Sequence, residues 1–215
     1  MRRPAFVLYA LVLTAAGVAN VWINYVAKGR HCDLYPFAEF VWVVMSALVP
    51  CWRGATKRLV PTIVALLFVD AFVDLCAMGK QTWWASAPLL VEWKWGVDPH
   101  KHLLYAYWAF TWGIQVPARC IVLALANTGR WGTRFVLVAL GLNIIWITAP
   151  QDVIYYFVWL GLYDAHVHYF HYLPPEGTWN LWNMLLLRVP IGVGLGALLI
   201  RVARSRPSRE QFRSP

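Results

Sequence analysis

Long apolar runs alternate with short polar connections along most of this chain of 215 residues. An α-helix needs about 20 predominantly apolar residues to cross the hydrocarbon layer of a bilayer, and several of the runs approach or exceed that length. The pattern predicts an all-α protein, a polytopic membrane helical bundle. The predicted spans are residues 5–26, 35–52, 59–78, 103–126, 135–162 and 181–202.

Two segments leave the number of spans open between six and seven. The fifth run contains Pro150, so it forms either one kinked helix or two short ones. Residues 83–95 are apolar but short and contain Pro88, which favours an interfacial or re-entrant segment. We expect residues 1–203 to form a single transmembrane domain and residues 204–215 to form a basic cytoplasmic tail.

Composition and charge agree with a membrane protein, since the chain is 60% hydrophobic and only 13% charged. An orientation with both termini in the cytoplasm satisfies the positive-inside rule. The net charge of +9 is then a topology signal, and nucleic-acid binding is not expected because no basic patch is interleaved with aromatic residues. The basic residues on the predicted cytoplasmic side are Arg2, Arg3, Arg53, Lys57, Arg58, Arg130, Arg134, Arg201, Arg204, Arg206, Arg209 and Arg213.

Acidic residues inside the predicted spans are the most informative polar positions. A charged side chain at the centre of a bilayer costs roughly 2.5 to 3.5 kcal/mol, so such residues face the protein interior and find partners. Asp70 and Asp74 lie one turn apart on one face of the third span. Asp152 lies at a depth similar to that of Asp70, and Glu39 lies about one turn inside the second span. These are the predicted catalytic acids, with Glu39 held in reserve.

A basic residue, Arg188, lies in the last span, roughly two turns from its outer end. A cation at this depth is predicted to be an electrostatic partner of the acids or a ligand for an anionic part of a substrate. The structural alternative is that Arg188 neutralises one aspartate and that the pair locks two helices together.

Histidines are concentrated in the predicted outer loops, in segments 98–102 and 164–171. Imidazole and carboxylate groups in two loops can together bind zinc, copper or iron. The spacing matches neither HExxH nor a zinc finger, so interfacial and acid–base roles stay open beside a metal site, and no cofactor is predicted. The candidate ligands of the weaker metal hypothesis are His100, His102, His166, His168 and His171.

Most tryptophans lie near the ends of the predicted spans, as expected of interfacial belts, but Trp112 and Trp146 lie deeper. The faces of aromatic rings stabilise cations. An acid beside an apolar cavity lined by such rings is what the proton-initiated cyclisation of an isoprenoid requires, because the acid protonates an alkene or epoxide and the rings stabilise the carbocation. We therefore predict Trp112 and Trp146 as substrate-binding residues.

The sequence Trp22-Ile23-Asn24-Tyr25-Val26, which closes the first span, resembles the corresponding segment of the small integral-membrane terpene cyclases of meroterpenoid pathways. Residues 83–89 are similar to that family as well. The resemblance implies an enzyme that cyclises epoxidised prenyl chains with membrane carboxylates. The family's Trp–Glu pair in the second span has no counterpart here, and Arg188 stands near the place of its acid in the last span.

The last span also contains the run Gly192-x-Gly194-x-Gly196. No βα pattern follows the run, so nucleotide binding is not expected. Small residues allow two membrane helices to approach closely, and the run therefore predicts close helix packing.

These observations favour an integral-membrane enzyme of the cyclase or isomerase type that acts on a lipid or isoprenoid substrate. Proton-initiated terpene cyclisation by buried carboxylates is the specific form of that hypothesis. Three alternatives stay open: a metal-dependent membrane enzyme built on histidines and carboxylates, an ion- or proton-coupled transporter, and a non-catalytic subunit of a membrane complex. The expected partners are membrane lipids and a hydrophobic small molecule, and the sequence leaves the oligomeric state open.

Overall fold

A computed structural model describes residues 3–28, 34–48, 58–78, 109–160 and 181–205. Every element in these ranges is helical, which confirms the all-α class for this part of the chain. The helices in order are α1 (Arg3–Lys28), α2 (Tyr35–Leu48), α3 (Leu59–Met78), α4 (a π-helical turn at Thr111–Gln115 followed by Val116–Thr128), α5 (Thr133–Ile147), α6 (Pro150–Ile154, continued by a π-helical segment at Tyr155–Leu160) and α7 (Leu181–Asn183, a π-helical turn at Met184–Arg188, and Val189–Ser205).

Three segments are long and apolar enough to cross a membrane, namely Phe6–Ile23, Thr133–Ile154 and Met184–Ser205, and α2 is a shorter apolar helix. Only 28% of the first segment and 17% of the third are buried inside the protein, so most of their apolar side chains face outward. Apolar surface of this extent is rare in soluble monomers and suits helices whose outer faces contact lipid. The interfacial segment predicted at 83–95 lies outside the described residues.

Pro150 divides the predicted fifth span into two helices. Proline has no N–H to donate within a helix, and the residue before it avoids the right-handed helical region. Ala149 accordingly adopts a left-handed conformation, with φ of 61°, between the end of α5 and the start of α6. Of the two arrangements expected here, the structure shows two shorter helices joined at a sharp break, and the break lies beside the buried residues Gln151 and Asp152.

Glycines allow α5 and α7 to pack in close contact. A Cβ atom added at Gly196 would lie 2.5 Å from the Gly141 carbonyl oxygen, and one added at Gly192 would lie 2.0 Å from Thr148 Cγ2. Gly194 faces open space, with nothing within 4 Å of an added Cβ. Close helix packing is thus confirmed for Gly192 and Gly196 and does not extend to Gly194.

Helix α3 lies between two hydrophobic clusters. Its residues Ala71 and Val73 pack in a cluster with side chains of α1, α2 and α6. Leu66 and Leu67 pack in a second cluster with side chains of α4, α5 and α7. Asp70 lies between these two pairs of residues in sequence and is itself buried.

Candidate functional site

Asp70 forms a buried, bidentate salt bridge with Arg119, which connects α3 to α4. Arg119 Nη1 donates to Asp70 Oδ1 at 2.7 Å, and Nη2 donates to Oδ2 at 2.6 Å. The arginine is fully buried, and the aspartate is 7% exposed. The planar fork of a guanidinium matches the two oxygens of a carboxylate, so this pair has the strongest hydrogen-bond geometry available to the two side chains.

Two tryptophans complete the surroundings of this ion pair. The indole N–H of Trp42 donates to Asp70 Oδ1, and that of Trp146 donates to Oδ2 at 2.6 Å. Their rings also flank the guanidinium, with the Arg119 Cζ atom 4.6 Å and 4.7 Å from the two ring centroids. Such contacts stabilise a cation through the negative faces of the rings. We call these four residues, contributed by α2 to α5, the Asp70 cluster.

The cation that pairs with Asp70 is not one of the site residues predicted from the sequence. The guanidinium on Asp70 belongs to Arg119, whereas Arg188 donates from Nη2 to the Ile147 carbonyl at 3.2 Å. The cost argument that marks Asp70 as unusual applies equally to Arg119, which stands inside the apolar fourth run. That shared signal could have suggested the pair.

A second group of buried polar residues surrounds Glu39. The Gln115 amide donates from Nε2 to Glu39 Oε1. The Asn20 amide in turn donates from Nδ2 to Gln115 Oε1, and at 3.0 Å to Thr111 Oγ1. The chain therefore runs from α1 through α4 to α2. We call these four residues the Glu39 chain.

The Glu39 chain fixes the orientation of its members. Because the Gln115 oxygen accepts from Asn20, its nitrogen is directed at Glu39. Helix α1 comes close at Gly17, where an added Cβ would lie 3.1 Å from Glu39 Oε1. Glu39 is 3% exposed and has no salt bridge with any residue that the structure describes. One oxygen of this buried carboxyl group is thus held by a neutral amide donor.

The Asp70 cluster and the Glu39 chain border one small cavity. Its volume is about 20 Å³, which is room for about one water molecule. One lining residue, Gln151, is 1% exposed, and its Oε1 has no hydrogen-bond partner among the described residues, so it provides an acceptor for a small ligand. The polar and aromatic lining comprises Glu39, Asp70, Asp74, Thr111, Gln115, Gln151, Trp42, Trp112 and Trp146.

The structure brings together five of the seven residues predicted as catalytic or substrate-binding. Glu39, Asp70 and Asp74 line this cavity together with the predicted substrate-binding residues Trp112 and Trp146. Asp152 is buried in the first turn of α6, and both Asp152 and Asp74 lie near enough to Tyr155 to interact with it electrostatically.

The predicted histidine ligands and the segments similar to the cyclase family are not among the described residues that line this cavity. All the histidine candidates lie outside the described residues, and the structure shows no group of metal-binding side chains in the part that it describes. The metal hypothesis therefore stays a prediction. The similar segment at 83–89 also lies outside the described ranges, and Trp22 is a surface residue. Sequence reasoning gave no site role to Asn20, Trp42, Gln115, Arg119 or Gln151.

Comparison with protein-family models, curated proteins and solved structures finds no match to this chain. The fold and the site define an all-α protein with helices suited to a membrane and a buried polar centre where α1 to α5 meet.

Proposed function

We propose that this protein is a multi-pass integral-membrane enzyme that uses a buried carboxylic acid on a lipid or isoprenoid substrate. The observation that carries the proposal is that Glu39, Asp74, Trp112 and Trp146 line the same cavity. Elsewhere the outward surfaces of α1 and α7 are apolar, which suits a protein that receives its substrate from the bilayer.

The hydrogen bonds and the cavity lining suggest a different role for each acid. Each oxygen of Asp70 accepts one hydrogen bond from Arg119 and one from an indole. Because both oxygens are occupied as acceptors, the proposed role of Asp70 is to position its neighbours. Glu39 accepts its hydrogen bond from the neutral amide of Gln115, forms no salt bridge with a described residue and lines the cavity, which makes it the proposed proton donor. Asp74 lines the same cavity one turn further along α3 and is the proposed acceptor of the returning proton.

In the specific form of the proposal, the substrate is an epoxidised prenyl chain. Glu39 gives its proton to the epoxide oxygen while a C–O bond breaks, and the carbocation that forms lies against the face of Trp112. Ring closure consumes an alkene, and Asp74 removes a proton from the final cation. The cavity holds about one water molecule, so substrate binding in this scheme requires the lining side chains to move apart.

The proposal includes a topology of six or seven spans with both termini in the cytoplasm. It is supported by the exposed arginines Arg130, Arg201 and Arg204 at the ends of α4 and α7, where the positive-inside rule expects them. Labelling of single cysteines introduced in the connections, in intact cells and in opened membranes, tests it. Labelling of the α4–α5 connection in intact cells by a membrane-impermeant reagent would overturn this orientation.

The size of the cavity favours a second candidate, a proton- or ion-coupled transporter. A space for one water molecule beside Glu39, Asp74 and the acceptor Gln151 suits the handling of a proton as well as it suits chemistry on a substrate. Proton uptake by liposomes that contain the purified protein distinguishes this candidate.

The decisive experiment compares Glu39→Gln and Asp74→Asn in membranes supplied with an aromatic compound that carries a terminally epoxidised farnesyl chain. We expect the wild-type protein to form a cyclised isomer and each variant to lose at least about a hundredfold in rate, since acid–base groups typically contribute that much or more. Glu210→Gln, in the predicted tail, is the matched control. Full activity of both variants at normal protein level overturns the assignment of the acids. Proton uptake without product formation supports the transporter instead.

A further inference from the structure

A second cavity, with a volume of about 190 Å³, opens near the end of α4, the start of α5 and the end of α7. It shares no lining residue with the cavity at Glu39. Its lining is mostly polar and includes Asn127, Thr128, Arg134 and Arg204. We call it the Arg134 cleft.

The guanidinium of Arg134 is held in place within this cleft by the end of α7. Its Nε donates to the Ala203 carbonyl at 2.8 Å, and its Nη2 donates to the Arg204 carbonyl at 3.3 Å. These bonds use one edge of the planar group and leave the fork formed by Nη1 and Nη2. A guanidinium that is already oriented loses less conformational freedom when it binds a ligand through that fork.

Positive charge in the Arg134 cleft has no counter-ion among the described residues. Neither Arg134 nor Arg204 forms a salt bridge there. The start of α5 adds the positive end of a helix dipole, and the neutral residues Asn127 and Thr128 line the same cleft. Two guanidinium groups beside neutral polar groups suit a phosphoryl group, which carries several acceptor oxygens and at least one full negative charge.

The neighbourhood of the cleft indicates its depth in a membrane. Trp131, in the connection between α4 and α5, is 64% exposed. Exposed tryptophans of membrane proteins are enriched at the level of the lipid headgroups, and basic pockets between helices on the cytoplasmic side bind lipid phosphates.

We infer that the Arg134 cleft binds a phosphate group, supplied either by the headgroup of an anionic phospholipid or by a soluble phosphate. The fork of Arg134 and the side chain of Arg204 hold the phosphoryl oxygens. This inference is independent of the proposed catalysis, because its readout is binding and none of its residues belongs to the first cavity.

The test titrates the purified full-length protein with phosphatidylglycerol and, separately, with phosphatidylcholine, and counts bound lipids by native mass spectrometry. We expect one tight phosphatidylglycerol site. Arg204→Gln weakens it at least about tenfold, as expected for loss of a charged hydrogen-bonding partner. Arg201→Gln is the matched control, since Arg201 lies on the same helix, is also exposed and does not line the cleft. It should lose no more than about fivefold, the general effect of one charge near an anionic surface.

A second variant separates the fork from charge alone and guards against misfolding. Arg134→Lys keeps the charge but lacks the fork, and we expect it to bind as weakly as Arg204→Gln while remaining folded. In a parallel arm, inorganic phosphate is compared with chloride at equal ionic strength. Displacement of the lipid by phosphate identifies soluble phosphate as sufficient, and its failure to displace identifies the lipid as the source. Equal losses in Arg201→Gln and Arg204→Gln, or wild-type binding by Arg134→Lys, overturn the inference.

Discussion

The guanidinium of Arg119 lies between the indole rings of Trp42 and Trp146 and forms both of its short bonds to Asp70, whose oxygens also accept the two indole N–H groups. Each tryptophan therefore contacts the guanidinium through its ring and the carboxylate through its N–H group. Helices α2, α3, α4 and α5 are joined at this point by one acidic and one basic residue.

Removal of the cation from this cluster should destabilise the protein more than removal of the whole pair. We expect Arg119→Met to lower the free energy of unfolding by about 3 to 5 kcal/mol, because a buried carboxylate is left without its partner. The double variant Asp70→Asn/Arg119→Met should recover part of that loss. Unfolding in mixed micelles by titration with a denaturing detergent measures both. Equal stability of the single and double variants would show that the charge of Asp70 is compensated elsewhere.

The indole N–H groups should contribute separately from the aromatic faces. Trp146→Phe keeps an aromatic ring near Arg119 but removes the donor to Asp70, and we expect a loss of about 1.5 to 3 kcal/mol in the same unfolding assay. Trp42→Phe should behave similarly. Trp131→Phe is the control, since that indole is exposed and packs edge-on against Phe135, and it should change stability by less than about 0.5 kcal/mol. If all three variants lose the same amount, the bonds to Asp70 carry no special stability.

The glycines of α7 provide a test of the packing against α5. Gly196→Ala places a methyl group 2.5 Å from the Gly141 carbonyl oxygen, and we expect it to cost about 1 to 3 kcal/mol. Gly194→Ala is the matched control on the same helix, where the methyl group meets open space. It should be neutral or slightly stabilising, because alanine favours a helix over glycine. Thermal inactivation of the two variants side by side measures the difference, and equal inactivation temperatures would contradict the contact.

The Glu39 chain should act on rate rather than on substrate binding if Glu39 is the proton donor. Gln115→Met removes the amide that holds Glu39 Oε1 and keeps a side chain of similar length. We expect kcat with the epoxidised farnesyl probe to fall about tenfold or more, with KM nearly unchanged. Asn20→Leu should give a smaller decrease, since it acts on Glu39 only through Gln115. A rise in KM at constant kcat would assign the chain to substrate binding instead.

The positions of the helices could be predicted from the sequence because an apolar run is a local property. Pro150 likewise predicts either one kinked helix or two short ones, and the structure shows two, with the break at Ala149, whose left-handed conformation is unusual for alanine. The end of α4 differs from this break, because Gly129 at its C-cap has the positive φ that glycine favours.

The candidate site could be predicted only in part. The cost of burying a charge identified Asp70 and Asp74, and depth arithmetic placed them near the level of other polar residues. That arithmetic gives the height of a residue along its helix but not the direction in which its side chain points. The sequence therefore does not pair Arg119 with Asp70, and it does not indicate that the indole N–H of Trp42 lies in the core.

The order of the Asp70 cluster along the chain has a consequence for synthesis. Trp42 precedes Asp70 by 28 residues, but Arg119 and Trp146 follow it by 49 and 76. A ribosome that has just completed α3 has therefore made the acid and only one of its donors. Until α4 and α5 emerge, the nascent chain holds Asp70 with one of its three donor residues, so α3 can reach its final surroundings only after both later helices have been made.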